Sequence, residues 1–264
     1  MTTTQQRPTL LSWIALLLSL LYMFIPLAST LQFSLQAKRG EIGFSAYSNV
    51  LALPEFVSSF NFSFWTAILT IVIGTAIIVP TCFWVTLRLP QWRQFVEFFV
   101  LISFVTPTVV LVFGLVRAHN LTGLTNTAQG VYILLLGAYI TRAFPYMYRS
   151  VDAGLRAINV RVLTEAAQSL GANWFTILAR VILPNIIVAV LNGAFVTFAI
   201  VITEYTIAAL LSQPAFGPFM QQIGTRKVYE PSALTILSLV LTWLCVGVFQ
   251  YVGRRSVGAP ISGV

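Results

Sequence analysis

Residues Glu165–Pro184 read EAAQSLGANWFTILARVILP and form a polar stretch, here called the polar island, between long apolar runs. Counted from Val160, apolar residues recur at the i, i+3, i+4, i+7 spacing of one helix face, namely Leu163, Ala166, Ala167 and Leu170. Arg161 and Glu165 lie four residues apart on the opposite face, where they can pair. The pattern predicts an amphipathic helix.

A second helix is predicted directly after the first. Gly171 supplies the positive φ that ends a helix at low cost, and Asn173 is a good N-cap. The second apolar stripe comprises Trp174, Ile177, Leu178 and Val181. Pro184 closes this helix and suits the first turn of the next one. Helix, corner and helix are too polar and too short to span a membrane, and the pattern alone also fits a hairpin lying on a bilayer.

The composition indicates a polytopic α-helical membrane protein. Of the 264 residues, 58% are hydrophobic and only 8% are charged, whereas soluble domains carry about 25% charged residues. The net charge of +8 comes from single and paired basic residues scattered between apolar runs. We therefore expect no nucleic-acid partner and a lipid bilayer instead.

Six spans of about 20 apolar residues are predicted in one transmembrane domain, residues 1–264. They are Leu10–Leu31, Phe62–Leu87, Phe95–Val116, Gln129–Tyr148, Asn185–Leu211 and Ser232–Val252. Pro26 and Pro80 are expected to kink their helices, Pro107 and Gly114 to break the third, and Pro145-Tyr146 to end the fourth. The tail from Gly253 is expected to fray.

The basic residues predict that both termini are cytosolic. With the amino terminus inside, nine lie on the cytosolic side: Arg7, Arg88, Arg93, Arg149, Arg156, Arg161, Arg180, Arg254 and Arg255. Five lie outside: Lys38, Arg39, Arg117, Arg226 and Lys227. Arg142 is near a membrane edge and is not counted. This orientation places the polar island in the cytosol.

The chain lacks the residues for several kinds of chemistry. Its only lysines, Lys38 and Lys227, do not occur in a Gly-x-x-x-x-Gly-Lys-Ser/Thr phosphate loop, so ATP would have to be hydrolysed by another subunit. A single histidine, His119, argues against a multi-histidine metal site. Cys82 and Cys245 lie in apolar runs and are interpreted as small hydrophobic residues. We therefore predict no catalytic residue, no metal and no cofactor in this chain.

Glu204 is an ionisable residue within the fifth predicted span, where such residues face a bundle interior or a wet cavity. Gly193, Thr197 and Val201 precede it on one helix face, with Asn192 and Thr203 alongside. One interpretation is a translocation-pathway face formed by Asn192, Thr197, Thr203 and Glu204. The other is hydrogen bonding between helices, or a buried pair of Glu204 with a partner such as Arg142.

The polar island resembles the EAA loop of ATP-binding-cassette (ABC) importer permeases. That motif reads Glu-Ala-Ala, three residues, Gly, nine residues, an aliphatic residue, any residue, Leu-Pro. The matching positions are Glu165, Ala166, Ala167, Gly171, Val181, Leu183 and Pro184, with Val181 where isoleucine is usual. Ala143–Arg156 and Tyr229–Leu237 fit the same type I, MetI-like permease pattern.

The resemblance implies an all-α, six-helix, MetI-like permease in the bacterial inner membrane, with a cytosolic coupling loop at about residues 149–184. It implies that Glu165, Ala166, Ala167, Gly171, Leu183 and Pro184 couple to a cytosolic ATPase dimer, which binds the ATP and Mg²⁺. It further implies a second permease, expected to be a paralogue, and an extracytoplasmic substrate-binding protein. The chain itself is not expected to be an enzyme.

The cargo is the least determined property, because a shared fold does not fix a substrate. The chain resembles the shorter permease of spermidine/putrescine importers, and an acidic Glu204 suits a polycation. Permeases for iron(III), 2-aminoethylphosphonate, thiamine and sulfate or molybdate share the layout. Outside this class, an intramembrane hydrolase lacks a nucleophile–base pattern, a channel or secondary transporter would show inverted repeats, and a membrane scaffold would tolerate disruption of the polar island.

Overall fold

The chain folds into a helical membrane bundle that is interrupted by a polar segment, residues 159–185, here called the elbow, which contains the polar island. The computed structural model describes residues 10–38 and 41–257. The helices are α1 Leu10–Ser34, α2 Ser45–Leu51, α3 Pro54–Leu87, α4 Arg93–Val105, α5 Thr108–His119, α6 Ala128–Ala157, α7 Val160–Ser169, α8 Trp174–Thr176, α9 Leu183–Asn185, α10 Ile187–Thr203, α11 Thr206–Leu210, α12 Phe216–Arg226 and α13 Glu230–Val257. Short strands β1 (Gln36–Lys38) and β2 (Glu41–Ile42) pair antiparallel between α1 and α2. The predicted all-α membrane architecture is confirmed.

Two helices, α1 and α3, are each long and apolar enough to cross a membrane. The broken pairs α4–α5 and α8–α10 would raise the number of spans to four, and α13 adds a shorter apolar stretch, Glu230–Cys245. The 30-residue α6 carries four charged side chains toward its end, Arg142, Arg149, Asp152 and Arg156. The helices α1, α3, α6 and α13 and the two broken pairs are together consistent with six spans.

Helix α1 lies at the periphery of the bundle and packs against α13. None of its most apolar window is buried within the described part of the chain. Its bounds agree with the first predicted span, and Pro26 lies inside the helix. Arg7 and Arg39, which contributed to the orientation argument, lie outside the described residues.

The core consists of two clusters at opposite ends of the long helices α3, α6 and α10. One cluster, on the side of the polar island, joins Cys82 and Phe83 of α3 to Val151 of α6 and Ile182 of the island. The other gathers aromatic side chains, including Phe198 and Phe216. The three long helices therefore connect the polar island to the far end of the bundle.

The fourth predicted span does not end at Pro145-Tyr146, because α6 continues to Ala157. Proline removes one backbone hydrogen bond, but Pro145 is buried where α6 packs against α3 and α10. Tertiary packing compensates for that loss, so the helix passes through and delivers its last turns to the polar island.

The other predicted boundaries differ by one or two turns or by an additional break. Helix α3 begins at Pro54, where proline fits the first turn, rather than at Phe62. Pro107 breaks the third span as predicted, with α4 and α5 at 107°, whereas Gly114 lies inside an intact α5. Helix α13 continues to Val257, beyond the predicted end of the sixth span at Val252.

Candidate functional site

The corner of the polar island is built by a complete helix-ending motif. Asn159 caps the start of α7 by accepting from Val162 N–H at 3.3 Å. At the other end Gly171 has φ +78°, the N–H of Gly171 donates to Gln168 O at 2.9 Å, and that of Ala172 donates to Ala167 O at 3.0 Å. This pair of bonds is the Schellman arrangement that glycine allows. The predicted role of Gly171 as a helix terminator is confirmed.

The second half of the elbow begins where Asn173 was predicted to cap it. Its side-chain oxygen accepts from Thr176 N–H at 2.8 Å. A π-helical stretch, Ile177–Ile182, follows α8, and both of its end residues are fully buried. The chain then turns by 78° into α10. Of the two predicted residues at this turn, Leu183 is half-buried and Pro184 is exposed.

The two faces of α7 differ from the predicted stripe. Val160, Thr164 and Ala167 point into the protein, whereas Ala166 is exposed and Leu170 is 88% exposed. At 100° per residue, Leu170 lies roughly 90° around α7 from the centre of the buried face, so it points toward the surface. The buried face of α7 is therefore not the apolar stripe of Leu163, Ala166, Ala167 and Leu170.

The exposed side of the elbow combines one acidic and several apolar side chains. Glu165 is exposed and its distance of 3.9 Å to Arg161 is that of a weak surface pair. Ala166 and Leu170 of α7 are exposed as well, and so is Phe175 of α8, at 80%. Exposed large apolar residues beside polar ones are typical of protein contact sites. The sequence reasoning missed Leu170 and Phe175 as surface residues.

Trp174 anchors the elbow to the end of α3. Its ring lies 4.8 Å from that of Trp84, and the guanidinium of Arg88 stacks over it at 5.4 Å. A recess of about 290 Å³ opens beside this anchor, lined by Leu87, Arg88, Arg161, Thr164, Glu165, Gln168 and Trp174. The residues that could have indicated this contact in the sequence are Trp84 and Arg88, near the end of the second predicted span, and Trp174 in the polar island. The elbow is thus held rigidly against the bundle.

The predicted pathway residues divide between two faces of α10. Asn192 and Thr203 are eleven residues apart and are both exposed on one face. Thr197 is 1% exposed on the opposite face, where its hydroxyl donates to Gly193 O at 2.9 Å. Gly193 permits this close packing, because a side chain there would meet Met147 and Ser150 of α6. In this conformation Thr197 does not reach the surface that Asn192 and Thr203 share.

Glu204 terminates α10 instead of lying within a continuous span to Leu211. Its carboxylate accepts from the N–H of Ile207 at 2.9 Å and from that of Ala208 at 3.3 Å, so it caps α11. The ion pairs within 4.0 Å in the part of the chain that the structure describes do not include one between Glu204 and Arg142. A polar residue able to satisfy free backbone donors competes with helix continuation, which explains the break.

Gly217 is where α12 meets the backbone at Glu204, and a Cβ there would overlap the carbonyl oxygen of Glu204. We expect Gly217→Ala to destabilise the protein by about 1–3 kcal/mol. The measurement is the thermal midpoint of the detergent-solubilised chain. Gly224→Ala in the same helix is the matched control, since its Cβ would have only Pro231 nearby, at 3.9 Å. Equal midpoints for the two variants would contradict the close contact at Gly217.

Within residues 10–38 and 41–257, no group of three or more histidine, cysteine, aspartate or glutamate side chains lies close enough together to hold a metal ion.

Comparison with known proteins identifies a family across most of the chain. The model for "Binding-protein-dependent transport system inner membrane component" matches residues 78–258, which include the whole elbow and α10. The spermidine/putrescine transport system permease protein PotC of Escherichia coli (strain K12) is 28% identical over 171 residues, which are 61% of each chain. PotC of Haemophilus influenzae is 24% identical over 89% of this chain and 93% of the relative.

Other similarities concern a second cargo and the fold. The sulfate transport system permease protein CysT of Synechocystis sp. is 26% identical over 92% of this chain and 90% of its own. A bacterial ABC transporter involved in the import of the acidic polysaccharide alginate matches with a TM-score of 0.72 over 96% of both chains, at 15% identity. The MetNI methionine ABC transporter matches with a TM-score of 0.56 over 77% of this chain and 94% of its own, at 21% identity. These solved structures confirm the predicted importer-permease fold.

Proposed function

Because the chain belongs to the family of binding-protein-dependent transport system inner membrane components, we propose that it is the permease subunit of an ABC importer. In this proposal it forms half of a translocation pore and performs no covalent chemistry. The observation that carries the proposal is the elbow, which leaves Glu165, Ala166, Leu170 and Phe175 exposed and is held to α3 by Trp174. Such exposed side chains suit docking of a second protein.

The docked protein is a cytosolic ATPase dimer, which binds ATP and Mg²⁺. Glu165, Ala166, Ala167 and Gly171 form the docking surface or its support, and Leu183 and Pro184 set the turn into α10. A rigid elbow transmits displacement because its two helices are joined by the Schellman corner and anchored by Trp174 to α3. Closure of the ATPase would move the elbow as a body, and the long helices α6 and α10 would carry that movement across the bundle.

The cargo pathway lies along the exposed face of α10 that carries Asn192 and Thr203, with Glu204 at its far end. A second permease, a paralogue of this one, supplies the opposite wall. Thr197 lies buried behind this face and bonds back to Gly193 O within α10, while Gly193 allows α10 to pack closely against α6. Both termini and residues 149–184 face the cytosol, residues 1–264 act as one domain, and a substrate-binding protein docks on the outer side.

Polyamines of the spermidine/putrescine kind are the cargo that we propose. The PotC relatives support this choice, and a carboxylate at Glu204 favours a cationic cargo on electrostatic grounds. The CysT relative, at similar identity, makes sulfate the principal alternative. Iron(III), 2-aminoethylphosphonate, thiamine and molybdate remain alternatives with the same permease role.

The test is purification of the tagged chain from its native membrane followed by reconstitution into liposomes. We expect an ATPase and a second permease to co-purify, and ATP-dependent uptake of radiolabelled spermidine when the binding protein is added. Radiolabelled sulfate is measured in parallel. Uptake of sulfate but not spermidine would replace the cargo assignment, whereas a chain that purifies without an ATPase would contradict the permease role.

A further inference from the structure

In the part of the chain that the structure describes, one ion pair, Arg93–Asp152, joins two different helices. The guanidinium of Arg93, at the start of α4, donates to both carboxylate oxygens of Asp152 in α6, at 2.8 and 3.0 Å. The other ion pairs in residues 10–38 and 41–257 link side chains only three or four positions apart. Arg93 and Asp152 are 59 positions apart, so their pair is a fastening between helices.

The Arg93–Asp152 pair is better placed to hold its geometry than the surface pairs. The side chain of Asp152 is 15% exposed and that of Arg93 is 30% exposed, whereas Arg161 and Glu165 are both more than two-thirds exposed. Both contacts come from the Nη2 atom of Arg93, and hydrogen bonds between charged groups are stronger than those between neutral ones. Removing one partner would leave the other charge only the partner on its own helix, Glu97 for Arg93 or Arg156 for Asp152.

Further contacts fasten α4 to α6 along their length. Val100 of α4 is 3% exposed in the same core cluster as Tyr148 and Val151 of α6. Farther along α4, the ring of Phe104 lies 5.2 Å from that of Tyr146 and 5.7 Å from the guanidinium of Arg149. The helices are antiparallel, and the Arg93–Asp152 pair closes the end nearest the polar island.

These two helices connect the polar island with the segment that Glu204 caps. Asp152 lies five residues before the end of α6, and Asn159 then begins the elbow. At its other end α4 bends at Pro107 into α5, and α5 packs against α11. The contacts therefore run from the elbow through α6, α4 and α5 to the segment behind Glu204.

We infer that Arg93 and Asp152 are positioning residues that make α4 move with α6, so that displacement of the elbow reaches α11 through the bent α4–α5 pair. The transport consequence rests on the proposed function, while the fastening itself is a property of this chain. A coupling route requires elements that move together between two states. The rigid contact between α4 and α6 is the part that can be measured directly.

The experiment uses spin labels on Gln91→Cys and Ala157→Cys, two exposed positions flanking the ion pair, in a Cys82→Ala, Cys245→Ala background. Pulsed dipolar distances are recorded on the assembled importer in nanodiscs, without nucleotide and after trapping with ATP and vanadate. We expect one narrow distance distribution that is the same in both states. Arg93→Gln and Asp152→Asn should each broaden it, and the double variant should broaden it no further.

Arg156→Ala is the matched control. Arg156 also contacts Asp152, at 2.9 Å, but from the same helix, so its removal should leave the distribution narrow. Arg93→Lys keeps the charge, so its distance distribution should stay nearly as narrow as that of the wild type. A narrow distribution in this variant shows that a substitution at Arg93 does not by itself unfold the protein. In liposomes, Arg93→Gln should lower cargo taken up per ATP hydrolysed about five- to tenfold at unchanged assembly, with spermidine and sulfate as probes.

Two outcomes would overturn the inference: a wild-type distance that changes on nucleotide trapping, or an Arg93→Gln distribution as narrow as the wild type. An unchanged uptake-to-ATP ratio in Arg93→Gln would likewise overturn the coupling step. Failure of the wild-type chain to bind an ATPase is a different result, because it contradicts the proposed function. The nucleotide-free distances then still report on the fastening.

Discussion

Gly171→Asp is expected to abolish uptake while leaving the protein inserted and folded. The substitution should cause little steric destabilisation of the chain itself, since a Cβ at Gly171 meets no atom within 4 Å. Its positive φ adds only about 1–2 kcal/mol of backbone strain. The new carboxylate instead lies in open space at the corner of the elbow, where we place the docked ATPase. Charge brought into such a contact should reduce docking and uptake at least about 100-fold.

Gly123→Asp separates the effect of docking from that of the backbone. Gly123 has nearly the same conformation, with φ +73°, and a Cβ added there would likewise meet no atom within 4 Å. Unlike Gly171, it lies in the loop between α5 and α6. We expect this variant to take up cargo normally. Both variants are measured for membrane insertion, ATPase co-purification and ATP-dependent uptake. Equal losses in the two would mean that strain at a positive-φ glycine, and not docking, explains the Gly171 result.

Glu165→Lys is the second substitution expected to stop transport. Glu165 is largely exposed and its one ion pair, with Arg161, is long at 3.9 Å, so charge reversal should hardly change the stability of the isolated chain. At a docked interface the same reversal places a charge of the wrong sign against the partner. We expect docking to weaken about 30- to 1,000-fold, measured as binding of the purified ATPase to the reconstituted permease.

Arg161→Ala is the control for Glu165→Lys, because it breaks the same ion pair and leaves the carboxylate in place. We expect ATPase binding and uptake close to those of the wild type. If Arg161→Ala were as defective as Glu165→Lys, the role of Glu165 would lie in the Arg161 pair within the chain. Normal ATPase binding in Glu165→Lys would remove Glu165 from the docking surface altogether.

The elbow could be predicted from the sequence because its structure depends on neighbouring residues. A glycine followed two positions later by an asparagine specifies a helix end and a new N-cap, and the structure has both. The first span, α1, which contains no charged residue, was also placed within one turn. In these segments the local signals and the final environment agree.

Other features depend on packing that no local pattern encodes. Pro145 would end an isolated helix, yet α6 continues because α3 and α10 surround it. The break at Glu204 depends on whether its carboxylate faces a distant partner or the next N–H groups, and both agree with the sequence. The anchoring of Trp174 by Trp84 and Arg88 joins residues about 90 positions apart. The exposure of Leu170 followed from which side of α7 packs against the bundle, and the spacing of its apolar residues does not define that side.

The pathway residues illustrate the same distinction. Periodicity placed Thr197 near Glu204 on one stripe, but the small residue Gly193 allows that stripe to pack against α6. Small residues on membrane helices serve close helix contacts as readily as polar passages. Asn192 and Thr203 face outward from the chain, and their place in a pathway stays a prediction.

The central claim is that the polar island is a cytosolic surface covered by an ATPase. The most direct measurement is the labelling of Ala166→Cys, in the Cys82→Ala, Cys245→Ala background, by a membrane-impermeant maleimide. Ala166 is exposed on the elbow, so we expect labelling in inside-out vesicles, none in right-side-out vesicles, and protection when the purified ATPase is added. Labelling from the outside, or labelling that the ATPase leaves unchanged, would contradict the account.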